Sequence, residues 1–225
     1  MTLGAWGIMA LRGEGTLSAA GFSNLKYFTV LSNIFNGAVS LFYAIRLASV
    51  LRHQSRRLSF RLHLLKYIAT AAVALTFLVV TGFFGPLYGW ASMYQGANLW
   101  FHLILPLVSL LEFCFVDNFF PLAFRASFLT MIPPLLYGFA YLTNLLINGV
   151  GIWPDTNDWY GFVNWGLPVG IGIFAAIVLA TWGLALLLRA VNLTIWKRQN
   201  RTQVGNKGTT SRPPFRTAPA YAAGP

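Results

Sequence analysis

Long apolar runs with almost no charge limit what this chain can fold into more than any other feature. Five stand out, at about 25–45, 67–90, 97–116, 126–147 and 163–188. Each is long enough as a helix to cross a hydrocarbon core about 30 Å thick, since roughly 20 residues at 1.5 Å rise suffice. Only 9% of the chain is charged, against about 25% in a soluble domain, so a water-facing shell cannot be built from it. The expected fold is all-α, a polytopic transmembrane helical bundle over 1–196. Residues 1–22 hold an apolar start broken by Arg12, Gly13, Glu14 and Gly15. They read as a truncated sixth span, half a helix or a surface segment.

Net charge is +11, and its position rather than its total carries the meaning. Arg52, Arg56, Arg57, Arg61 and Lys66 separate the first two runs, and Arg125 follows the third. Lys197, Arg198, Arg201, Lys207, Arg212 and Arg216 follow the fifth. Segments 88–98 and 148–162 contain no Lys or Arg, and Asp155 and Asp158 fall in the second. The positive-inside rule then places 46–66, 117–125 and 189–225 in the cytoplasm. This predicts a multi-pass cell-membrane protein with a cytoplasmic C-terminus. Its tail, 197–225, is rich in Pro, Gly, Thr and Ala and is expected to be disordered, basic and free to touch anionic lipid. The basic residues are explained by topology, so no nucleic-acid partner is implied.

Several chemistries are excluded. One cysteine, Cys114, allows no intrachain disulfide and no thiolate cluster. The sequence has no Gly-rich phosphate loop and no HExxH. One histidine at the outer depth cannot supply paired haem ligation. With Lys66 counted in a loop, no lysine lies mid-span for a retinal-type Schiff base. No metal and no cofactor are implied. No stretch reads as a cleaved signal peptide.

Within the first run, Thr29, Asn33, Asn36 and Ser40 recur at steps of four, three and four, with Ser32 beside them. They share one helix face. A polar stripe on lipid is costly, so it faces protein or a water-filled cavity. It reads either as interhelical hydrogen bonding, eased by Gly37, or as a site. The first and third runs enter from the same side, which puts Thr29 and His102 in one layer. Pro106 removes the N–H due to the carbonyl of residue 102 and predicts a kink there. A histidine beside a threonine hydroxyl can act as its base. Asn33 would orient the pair or donate to an oxyanion. Asn36 joins it as a substrate-binding candidate. Tyr137 and Tyr141, one turn apart, either line the same cavity or bond Asn33 and Asn36.

Glu112 lies on the face of Ser109 and His102. It is expected to pair with Arg46, or else to continue a proton relay from His102. The second option belongs to a different class of protein, a non-catalytic transporter or carrier using the same cavity. Trp90, Trp100, Trp153, Trp159 and Trp165, with Tyr88, Tyr94 and Tyr160, crowd the outer ends of the runs. They form either an interfacial belt or the lining of an outward pocket.

KYFTVLSN, then LWFHLILP, PPLLYGFAY and a WY pair before the last run together resemble the androgen-induced/androgen-dependent family of multi-span membrane proteins, in the form of a bacterial-type relative. The resemblance covers about residues 25–165. It implies a threonine hydrolase of lipid (fatty acyl) esters, with Thr29 and His102 as the catalytic pair and a lipid-like substrate. Family members carry six spans, with one complete helix before the Thr segment, and here that helix is missing or truncated within 1–22.

Overall fold

A computed structural model describes residues 15–16, 19–53, 58–152 and 155–205. Residues 1–14, Trp153 and the tail beyond Gly205 lie outside the described residues, so the expectations placed on them are untouched. The architecture is an all-α bundle, as the apolar runs require. Five helices are long and apolar enough to cross a membrane. They are α1 (Phe28–Arg52), α2 (Phe60–Tyr88), α3 (Ala97–Phe115), α4 (Phe124–Asn148) and α5 (Leu167–Gly205). A two-residue rung pairs Gly15–Thr16 with Ala19–Ala20, and a 3-10 turn, Gly21–Lys26, leads into α1.

α2 is the hub, with 61% of its apolar window buried against 22–33% for the others. Its middle reads Ala69, Thr70, Ala71, Ala72, Val73 and Ala74, all buried. Small side chains let neighbouring backbones approach closely on all sides, which suits helices that gain no hydrophobic drive from lipid. The outer helices keep Leu41, Phe42, Ile45, Leu136, Phe139 and Leu146 exposed, as a lipid-facing surface must.

The loop between α1 and α2 is shorter than the sequence predicts. α1 runs on to Arg52 and α2 starts at Phe60, so Arg61, His63 and Lys66 are helical. His63 and Lys66 are fully buried. Counting Lys66 as a loop charge is therefore corrected, and with it the statement that no lysine enters a span. α5 likewise continues past Lys197 to Gly205.

Two π-helical segments interrupt the bundle near one end. Val80–Phe84 in α2 precedes Pro86, and Trp100–Ile104 in α3 precedes Pro106. In each, the residue before the proline bonds five residues back, Gly85 to Val80 and Leu105 to Trp100. Proline cannot donate, and the extra residue in the turn absorbs the misfit. The kink expected at Pro106 thus takes the form of a π-bulge. In α4, Phe124–Met131 is 3-10 and becomes α-helical at Ile132, with Pro133 and Pro134 in its first turn.

Candidate functional site

Asn33 shows why the bulge in α3 matters. In a regular helix the Leu105 N–H would take the Phe101 carbonyl, but here it bonds Trp100. The Phe101 carbonyl is left over in a fully buried position. Asn33 Nδ2 donates to it at 3.0 Å and to the Thr29 carbonyl at 2.8 Å. One amide therefore pins the Thr29 turn of α1 to the segment that carries His102. Both its N–H groups are used, so Asn33 has none to offer an oxyanion. Of the two roles expected for it, the structure leaves orientation. Its Oδ1 is buried without a partner among the described residues.

His102 is 2% exposed. Its Nδ1 donates to the Met93 carbonyl at 2.8 Å. A carbonyl only accepts, so Nδ1 carries a proton, and in the neutral form of the ring the lone pair is on Nε2. No hydrogen bond joins His102 to Thr29, and among the described residues the Thr29 hydroxyl has no hydrogen-bond partner. Thr29 instead lines an apolar cavity of about 50 Å³ with Thr76, Val80, Phe84, Tyr137 and Tyr160. His102 is not part of that lining.

The aromatic residues at this end divide between the two readings. Trp90, Trp100, Trp165 and Tyr88 are exposed, as a belt would be. Tyr160 lines the cavity, and its hydroxyl accepts from the Phe28 N–H at 2.9 Å. Phe28 is the first residue of α1, and Tyr27 offers no side-chain cap. Tyr160 therefore satisfies an orphan donor of the helix start and closes the loop over the cavity. Tyr137 donates to the Lys26 carbonyl at 2.6 Å and accepts from Trp159 Nε1 at 3.0 Å. Tyr141 donates to Asp158 Oδ1, and that carboxylate also takes the Phe162 and Val163 N–H groups. Neither tyrosine reaches Asn33 or Asn36.

The rest of the α1 stripe forms rungs down the bundle. Ser32 meets Thr76 at 3.0 Å. Ser109 donates to Asn36 Oδ1 at 3.0 Å and meets Thr70 at 3.2 Å. Lys66 Nζ donates to Ser40 Oγ and to Glu112 Oε2, both at 2.6 Å. This corrects the expected Glu112–Arg46 pair, because Arg46 is exposed on the outside of α1. Asn36 belongs to this interhelical seam rather than to the cavity. The seam was legible as a stripe; its partners on α2 were hidden because Ala-rich α2 shows no polar period of its own.

Fold and site together define a multi-pass helical protein with a polar seam and an apolar cavity at one end. No protein-family model, curated protein or solved structure matches the chain.

Proposed function

We propose that this chain is an integral-membrane threonine hydrolase of lipid (fatty acyl) esters. Thr29 Oγ1 attacks the acyl carbon, and His102 Nε2 takes its proton and passes it to the departing alkoxide. Water then attacks the acyl-threonine, with His102 again as base. The first carbons of the acyl chain lie in the apolar cavity of about 50 Å³, and the rest of the chain stays in the bilayer, from which the lipid enters sideways.

The observation that carries this reading is the double hydrogen bond of Asn33, which ties the threonine turn to the histidine segment. The Nδ1–Met93 bond adds to it by leaving Nε2 as the basic atom. Catalytic hydrogen bonds are commonly long without substrate and tighten in the complex. The Thr29 end faces outward and the C-terminus lies in the cytoplasm, on the strength of the Lys and Arg distribution.

A fluorophosphonate probe tests the assignment on the purified protein. Wild type labels, Thr29→Ala does not, and His102→Ala labels far more slowly. Wild type that neither labels nor consumes lipid esters overturns the reading. In that case the rungs from Ser32 to Lys66 favour the carrier, measured as substrate flux into liposomes.

A further inference from the structure

The buried cluster at the far end of the seam takes no part in the chemistry above. Lys66 of α2 joins Ser40 of α1, Glu112 of α3 and Asp117, just beyond α3, and Tyr43 of α1 lies beside His63 of α2. Tyr43 Oη lies 3.5 Å from His63 Nδ1. Lys66 Nζ is 2.6 Å from Glu112 Oε2 and 4.0 Å from Asp117 Oδ2. From α5, Arg189 is directed elsewhere, donating to the Leu122 carbonyl at 2.9 Å and lying over the Phe124 ring.

One ammonium faces two carboxylates. With both ionised, this trio carries a net negative charge although Lys66 and Asp117 are buried, which is costly. The two acids are not equivalent. Glu112 is closer to the ammonium, and its side chain is 37% exposed. Asp117 is farther, 1% exposed, and its Oδ2 has no hydrogen-bond donor among the described residues. An ionised oxygen without donors is the form such a site disfavours, whereas a protonated one makes no such demand.

We propose that Lys66, Glu112 and Asp117 form a proton-exchange site, in which Asp117 binds and releases one proton and Glu112 connects it to water. Hydronium gives its proton to the Asp117 carboxylate and leaves as water, with no redox step. Burial and the Glu112 charge raise the Asp117 carboxyl and Lys66 lowers it, the net result being a shift from 3.8 up to about 7. The site then changes charge beside the Ser40 rung, at the end of the stripe that begins with Thr29. The proposal does not depend on the hydrolase reading.

Infrared spectra of the full-length protein in nanodiscs, taken from about pH 5 to about pH 9 around the Asp117 midpoint, test it. The chain has five carboxyl side chains, so the carboxylic-acid C=O band is sparse enough to assign. The expected result is a band that titrates near neutrality, is absent in Asp117→Asn, and moves to lower pH in Glu112→Gln. The last shift follows because losing the Glu112 charge leaves Lys66 to favour the Asp117 anion. The Glu112→Gln shift decides the matter by itself if Asp117→Asn does not fold. No titrating band in wild type, a band that survives Asp117→Asn, or a midpoint unmoved in Glu112→Gln overturns the proposal.

Discussion

Lys66 Nζ sits 2.6 Å from Glu112 Oε2 and joins the hub helix to α3 inside the bundle. The lysine is fully buried while the glutamate keeps contact with its surroundings. Removing only the glutamate leaves the ammonium with the more distant Asp117 alone, whereas replacing both by apolar groups leaves only Asp117, which sheds its charge by taking up a proton. Glu112→Ala is expected to cost about 3 kcal/mol, less whatever Asp117 recovers, and Lys66→Met with Glu112→Leu is expected to cost clearly less. Unfolding in mixed micelles measures both. A double variant no more stable than Glu112→Ala would show that the pair stabilises by itself.

Asn33 offers a second test. Asn33→Leu keeps the volume and deletes both donors, which leaves the Phe101 carbonyl buried and unbonded. A loss of about 1–2 kcal/mol is expected, between membrane helix–helix values and full desolvation of a carbonyl. Fluorophosphonate labelling of Thr29 is expected to slow as well, because the two segments are no longer tied. Unchanged labelling in a folded Asn33→Leu protein would separate Asn33 from the proposed chemistry.

The sequence was informative where one helix face carried the signal. The Thr29–Ser40 stripe, the apolar runs and the shared depth of Thr29 and His102 follow from period and charge alone. Lys66 reads as loop charge in the sequence because Arg52, Arg56, Arg57 and Arg61 precede it, and its partners, Ser40 and Glu112, lie on other helices. The π-bulges left no signal beyond the prolines that follow them, yet one of them frees the carbonyl that Asn33 binds. Tyr160 was visible as part of an aromatic rim; that it caps α1 depends on a contact between residues 132 positions apart, which no local pattern encodes.

That capping contact predicts a small, localised effect. Tyr160→Phe keeps the ring in the cavity wall and removes the acceptor for the Phe28 N–H. About 1 kcal/mol should be lost, and amide exchange should speed up at the first turn of α1. Exchange that rises evenly over the bundle would point to general loosening instead.

Gly138 tests the cavity itself. A Cβ there would stand 2.9 Å from Phe174 Cδ1, and Phe174 is part of the cavity wall. Gly138→Ala therefore displaces that ring and reshapes the cavity wall, at a cost of about 1–2 kcal/mol. If the cavity holds the first acyl carbons, hydrolysis of butyryl esters should fall more than that of acetyl esters. Equal losses for both would place the acyl chain elsewhere.

Asp117 gives a pH dependence whose sign is fixed. In the fold its carboxyl keeps a proton up to about pH 7, and the unperturbed value is 3.8. Between those limits the native state binds more protons than the unfolded one, so the Asp117 contribution falls as pH rises through that window. Wild type should therefore lose on the order of 3 kcal/mol from this group between acidic and neutral pH. Asp117→Asn cannot titrate and should lack that component. Unfolding of both proteins at about pH 4.5 and about pH 7.5, either side of most of the Asp117 transition, gives the comparison. The stability of Asp117→Asn relative to wild type should rise with pH, because only the wild type must give up a buried proton. A difference that stays constant across the window would mean that Asp117 remains ionised throughout, with Lys66 and Glu112 leaving its charge undisturbed.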